Sequence, residues 1–218
     1  MKISVRNLEK YFGERKIWQG IDLDITSDEI VTIAGKSGEG KTTFLRCLNG
    51  LETYSAGEIR FDDRRMPVGE TDAKKIGMVF QGYHLFPKMT VWGNILLAPK
   101  FHGIDAAVAE ARARDLLEEL EIADEADKYP RELSGGQQQR VAVVRACMLE
   151  PEILCFDEPT SALDRETIDR LVCMMGRLKQ KGIGMIVVTH DREFARRVSD
   201  RILHFEGGKL REEILHAA

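Results

Sequence analysis

The sequence predicts an α/β fold: a mainly parallel sheet covered on both faces by helices and interrupted once by a helical insertion. Short apolar runs rich in β-branched residues recur at 30–34, 76–80, 153–156, 185–188 and 202–205. Segments of helical period alternate with them at 42–49, 165–179 and 192–198. Between about 82 and 149 the pattern is helical.

Residues 3–5 and 21–25 alternate apolar and polar side chains and read as half-buried strands. The unbroken run at 30–34 reads as a buried strand, a glycine-rich break covers 35–40, and a helix follows over 42–49. A strand is expected at 76–80. In the insertion, Thr90 is an N-cap for a helix through Leu97, and the alanine- and glutamate-rich stretch 106–120 is a second helix. Alternating strands and helices then resume. There is no internal repeat and no low-complexity linker.

The chain has 218 residues, enough for one sizeable core with a small subdomain attached. A formal charge of −4 argues against a dedicated nucleic-acid binder. The start, MKISVRNLEK, lacks an apolar h-region, so no signal peptide is expected. No stretch approaches the roughly 18 unbroken apolar residues of a membrane helix, so the chain is expected in the cytosol or on its membrane face. Cys47, Cys147, Cys155 and Cys173 form no CxxC pair and read as reduced, mostly buried thiols.

Residues 35–43 read Gly-Lys-Ser-Gly-Glu-Gly-Lys-Thr-Thr, which matches GxxxxGK[ST] between a predicted strand and a predicted helix. Gly35, Ser37, Gly38 and Gly40 let backbone N–H groups curl around phosphate oxygens, and the helix N-terminus adds partial positive charge. Lys41 reaches the β- and γ-phosphates, the Thr42 hydroxyl is placed to ligate Mg²⁺, and Thr43 follows in the first turn. Alone, this pattern says only that a nucleoside triphosphate binds. A second signal is the run Ile-Leu-Cys-Phe-Asp-Glu at 153–158. A strand ending in Asp157 sets one carboxylate at the sheet's carboxyl edge, where a second Mg²⁺ contact belongs. Glu158 points elsewhere and is placed to orient or deprotonate a water.

Residues 133–140 read Leu-Ser-Gly-Gly-Gln-Gln-Gln-Arg. Ser134 caps a helix there, while Gly135 and Gly136 expose N–H groups at its start, a second anion site. With the two motifs above, the chain resembles the ABC ATPase family over essentially its whole length. That resemblance implies a P-loop NTPase (RecA-like) core with an N-terminal antiparallel β subdomain and an α-helical subdomain. It implies one ABC ATPase domain over 1–218, with core segments 1–82 and 150–218 and the helical subdomain at about 83–149. By the same resemblance Gln81 is the glutamine that senses Mg²⁺ and water. Ser161-Ala162-Leu163-Asp164 is the D-loop, and His190 is the switch histidine on the γ-phosphate. Tyr11 is the aromatic residue that stacks on adenine, with Phe12 the alternative.

The family architecture sandwiches ATP between the phosphate loop of one copy and Ser134, Gly135, Gly136 and Gln137 of a second, so that two copies close head-to-tail. Residues 78–99 and 189–201 are similar to those of bacterial importers of polar amino acids. This implies transmembrane permease subunits as direct partners, a solute-binding protein as an indirect one, and a place on the cytoplasmic membrane face. Tyr83, Leu85, Phe86 and Pro87 are unusually apolar for an exposed loop, which suits a permease-facing surface; local packing of the insertion is the alternative. An exporter or lipoprotein-release ATPase is the second reading, and a non-membrane ABC protein acting on ribosomes or DNA the third. The single phosphate loop and the absence of heptad runs weigh against the third. Glu39 and Thr42 depart from the commoner phosphate-loop wording, where a small residue and Ser are usual, and Glu39 is left without an assigned role.

Overall fold

The computed structural model describes residues 1–161 and 163–213. The chain opens with two long antiparallel strands, β1 (Lys2–Phe12) and β2 (Arg15–Thr26), then β3 (Ile30–Ala34) and α1 (Lys41–Leu48). Next come β4 (Ala56–Phe61), β5 (Arg64–Met66) and β6 (Ile76–Val79). The insertion supplies α2 (Val91–Phe101), α3 (Ala106–Glu119) and α4 (Gly135–Cys147), with short 3₁₀ turns at Ala123–Glu125 and Pro130–Glu132. Strands and helices then alternate: β7 (Ile153–Asp157), α5 (Arg165–Gln180), β8 (Gly184–Thr189), α6 (Arg192–Val198), β9 (Arg201–Glu206) and β10 (Lys209–Glu213).

Two sheets form. A four-stranded antiparallel sheet has the order β2-β1-β4-β5, and a six-stranded sheet has the order β10-β9-β3-β8-β7-β6. The second is parallel except where β10 runs back along β9. This is the architecture the sequence implied. Every residue of β3, β7 and β8 is buried, which is why these strands read as continuous apolar runs rather than as alternation.

Two cores share the large sheet between them. On one face Val31, Ile33, Cys155, Ile186 and Val188 meet α1 (Phe44, Leu45, Leu48) and the antiparallel sheet (Ile3, Val5, Trp18, Ile25, Phe61). On the other, Ile30, Val79, Leu154, Phe156, Met185 and Val187 meet side chains of α2 to α6, including Ile95, Leu117, Val143, Leu171 and Phe194. Each fully buried large apolar side chain contributes about 1.5–3 kcal/mol. The phosphate loop thus hangs between a strand and a helix that are both locked into one core, which limits its freedom at either end.

Several boundaries differ from the sequence expectation. Helix α2 runs four residues past Leu97 and takes in Pro99. The hairpin β4–β5 and the strand β10 were not expected, because their outward faces carry Glu58, Arg60, Arg64, Arg211 and Glu212. Among the described residues no helix is long and apolar enough to cross a membrane.

Candidate functional site

The loop between β3 and α1 is shaped by two left-handed glycines, Gly38 (φ +84) and Gly40 (φ +92). A Cβ on Gly40 would run into the Ile17 side chain and come within 2.9 Å of the Trp18 indole. Trp18 Nε1 also donates a 3.4 Å hydrogen bond to the Gly40 carbonyl, so the close approach is part of how the loop is held. Helix α1 then begins with no side-chain cap. The N–H groups of its first turn have no intrahelical acceptor, so they are free to donate outward. Lys41 is buried, and its ammonium donates to the carbonyls of Gly35 (2.9 Å) and Lys36 (2.8 Å).

The two carboxylates stand where β7 ends. Thr42 Oγ1 donates to Asp157 Oδ1 at 2.7 Å. Burial pushes the Asp157 carboxyl up from its usual range, the hydroxyl of Thr42 opposes the rise, and the Glu158 charge adds to it. Glu158 takes a left-handed conformation (φ +49) that is costly for a side chain with a Cβ. Its N–H is anchored on the Val188 carbonyl at 2.8 Å. The turn aims Glu158 Oε2 at His190, 2.8 Å from Nδ1 and 3.3 Å from the backbone N–H.

A cavity of about 600 Å³ is lined by Phe12, Arg15, Ile17, Lys36, Ser37, Gly38, Gly40, Lys41, Thr42, Thr43, Gln81, Glu158 and His190. The phosphate loop, the glutamine after β6, the acid after β7 and the histidine after β8 therefore share one space. Phe12, almost half exposed, borders the cavity and Tyr11 does not. Strand β1 carries register shifts between Val5 and Leu8, Leu8 and Lys10, and Lys10 and Tyr11. Each bulge moves the inward–outward phase, so alternation counted from Ile3 and Val5 does not carry to residue 11.

The Leu-Ser-Gly-Gly-Gln segment lies elsewhere. Ser134 and Gly136 border a separate cavity of about 340 Å³ beside Thr167 of α5. Ser134 Oγ accepts from Gln137 N (3.3 Å), and Gln137 Oε1 accepts from Ser134 N (2.8 Å), a reciprocal cap. Gln137 Nε2 is also spoken for, donating to Glu125 at 3.0 Å. A Cβ on Gly135 would meet only the Tyr83 hydroxyl, at 3.8 Å, so that glycine's face is nearly open. Asp164 caps α5 by accepting from Thr167 N (2.8 Å), and this backbone hydrogen bond holds its carboxyl below the usual range. Its neighbour Ala162 lies outside the described residues.

Two contacts could not be read from sequence. The Gln139 amide, buried in α4, donates to the Pro159 carbonyl at 2.8 Å, joining the signature helix to the turn after Glu158. Arg145 donates to the carbonyls of Tyr83 (2.8 Å) and His84 (2.7 Å), both left-handed residues just after Gln81. Both bonds depend on tertiary approach across twenty and some sixty residues of sequence, respectively.

A glycine-lined strand-to-helix loop, a part-buried Thr–Asp pair, a Glu–His pair and a second capped glycine helix start define an ATP-binding cassette. The ABC transporter family description matches residues 18–161, and the chain belongs to that family. It is an ATPase subunit of that family. The glutamine transport ATP-binding protein GlnQ of Geobacillus stearothermophilus is 45% identical, covering 97% of this chain and 89% of that protein. The glutamate transport ATP-binding protein GluA of Corynebacterium glutamicum is 43% identical over 97% and 89%. A dimeric structure of a bacterial ABC transporter cassette superposes with a TM-score of 0.86 at 33% identity, covering 99% of this chain and all of that one. A dimeric post-hydrolysis cassette bound to ADP and Pi gives the same TM-score at 32% identity and the same coverage.

Proposed function

We propose that this ATPase powers import of polar amino acids through a permease, by closing as a head-to-tail homodimer around two ATP molecules. One observation carries the dimer: Ser134 and Gly136 do not border the cavity that holds the phosphate loop. A nucleotide seated on one chain's loop leaves that chain's signature segment unused, so the segment serves a second copy. The dimeric cassettes among its structural relatives support this, and the glutamine and glutamate transport relatives support the cargo class.

Within each half-site, first-turn N–H groups, the loop glycines and Lys41 bind the phosphates, and Phe12 stacks on the base. Glu158, turned by its left-handed backbone and steadied by His190, accepts the proton of the attacking water. Water oxygen then bonds to the γ-phosphorus as the bond to the β-phosphate oxygen breaks, giving ADP and phosphate. The oxygens of Thr42, Asp157 and Gln81 form the hard donor set that suits Mg²⁺, which supplies charge neutralisation on the phosphates when bound. Ser134, Gly135, Gly136, Gln137 and Asp164 act from the partner copy, with the Gln137 side chain acting by holding the cap rather than by reaching out.

We read residues 83–149 as the arm that meets the permease at the cytoplasmic membrane face. Phe86 and Met89 remain exposed there between Gln81 and α2. Arg145 ties this loop to the signature helix, so a push on the loop moves both the γ-phosphate sensor and the second anion site.

Mixing Ser134→Arg with wild type tests the composite site. Random pairing at equal mixing leaves about one quarter of dimers with both sites intact and about one half with one intact site, so hydrolysis should fall towards one quarter, below the half expected of independent monomers, because closure requires both sites at once. Strictly additive activity across the mixing ratio would sink the joint closure of the two sites.

A further inference from the structure

Glu39 is the residue of the phosphate loop whose role the motif does not define. Its carboxylate folds back: Oε2 accepts the Lys36 N–H at 2.7 Å. The same oxygen stands 2.5 Å from where a Cβ on Gly35 would sit, a place also approached by Phe205 Cβ at 3.1 Å. A side chain at 35 would have to displace that carboxylate. The neighbours Lys36, Ser37, Gly38 and Gly40 all line the nucleotide cavity, and Glu39 does not. The charge therefore lies outside the phosphate path, on the outer side of the turn.

The two sides of Lys36 are held differently. Its N–H is held by Glu39, and its carbonyl accepts from Lys41. Lys41 is the phosphate-reaching residue, so its hold on the loop is surrendered when a nucleotide arrives. The Glu39 hydrogen bond makes no demand on any group that contacts phosphate.

We propose that Glu39 is a positioning residue that keeps the phosphate loop in its binding shape both before and after Lys41 turns to the nucleotide. The inference rests on the nucleotide reading of the loop. A loop already in shape binds without an ordering cost, so the brace acts on affinity and not on the chemical step. A carboxylate accepting a backbone N–H is a charge-assisted bond, stronger than a neutral one. Its negative charge near a polyanion works against binding, so the acceptor oxygen and the charge have opposite effects. Glu39→Gln separates them, since it keeps the oxygen and drops the charge.

The test uses the full chain. Calorimetric titration with ADP and with metal-free ATP is combined with steady-state ATP hydrolysis for wild type, Glu39→Ala and Glu39→Gln. Glu39→Ala should weaken both nucleotides and raise the KM for ATP about 5- to 10-fold, the loss of the hydrogen bond being partly offset by removal of the charge, with kcat within about twofold. Glu39→Gln should bind at least as tightly as wild type. Wild-type affinity in Glu39→Ala overturns the proposal, and so does a Glu39→Gln variant weakened at the binding step. A fall in kcat with KM unchanged also overturns it. If Glu39→Ala does not fold, Glu39→Asp, which keeps the charge but is too short to reach the Lys36 N–H, takes its place and should weaken both nucleotides; wild-type affinity there overturns the proposal. A wild-type chain that binds neither nucleotide would instead sink the reading of the loop itself.

Discussion

The two glycine-bordered helix starts that the proposed dimer brings to one nucleotide differ in readiness. Helix α1 begins at Gly40 with no side-chain cap, so its first N–H groups wait for a ligand. Helix α4 begins at Ser134 with a full capping box, so Ser134 and Gln137 satisfy each other in the absence of any ligand. The difference teaches which half holds the nucleotide. An uncapped start costs stability until phosphate arrives, because its donors are unmet. A capped start is complete by itself and presents a hydroxyl and open glycines to a surface that comes and goes. In the proposed dimer, binding belongs to the first and closure to the second.

The largest way to sharpen that comparison removes chemistry while leaving both helix starts intact. Glu158→Gln should lower turnover by about 10²–10⁴-fold while ATP still binds. Size-exclusion chromatography should then show a dimer that depends on ATP; near-normal turnover would remove Glu158 as the base. Lys41→Ala strikes the uncapped half alone. Loss of one buried ammonium from the phosphates should weaken ATP binding about 10- to 100-fold, measured by calorimetry, whether or not a second copy is present. Unchanged affinity would break the assignment of binding to α1.

A smaller effect has the opposite sign for stability. Burial raises the folded-state pKa of Asp157 above its unfolded value. The folded chain therefore holds that proton more tightly, and the stability it contributes at acid pH is lost as pH rises through the folded pKa. At neutral pH the ionised carboxylate is a burden on the ligand-free protein. Asp157→Asn, which keeps an acceptor for Thr42, should raise the melting temperature at pH 7 by about 2–4 °C for each kcal/mol relieved, with the gain shrinking towards acid pH. A lower melting temperature at pH 7 would show that the carboxylate is satisfied without its ligand.

The smallest effect concerns reactivity. Burial pushes the thiols of Cys47, Cys147 and Cys155 up to about 12, while Cys173 is exposed on α5 near the signature end. Alkylation at neutral pH followed by mass spectrometry should label Cys173 alone. Labelling of Cys47, on the buried face of α1, would mean that the core under the phosphate loop opens on its own.

Much of the molecule was legible because its chemistry is local. Buried parallel strands announce themselves as apolar runs, and the phosphate loop, the Asp–Glu pair and the capped glycine start are contiguous in sequence. What escaped depended on geometry that composition does not carry. The β9–β10 hairpin shows only Leu210 as an apolar residue on its last strand, yet the Gly207-Gly208 turn, with φ +57 and +77, was the signal that could have found it. Asp62, left-handed at φ +53, marks the β4–β5 turn in the same way. That Phe12 and not Tyr11 borders the cavity could not be read from alternation, because bulges change the strand's phase. The Gln139–Pro159 and Arg145 bonds join segments far apart in the chain, and no periodicity reports them.

The Trp18–Gly40 contact turns a packing detail into an instrument. This indole is fully buried, and its N–H rests on the carbonyl that immediately precedes the phosphate-binding helix. Any movement of that peptide changes the dipole beside an intrinsic fluorophore. A change in its emission on adding nucleotide would mean that this peptide shifts, and an unchanged emission that the loop is rigid at its helix end.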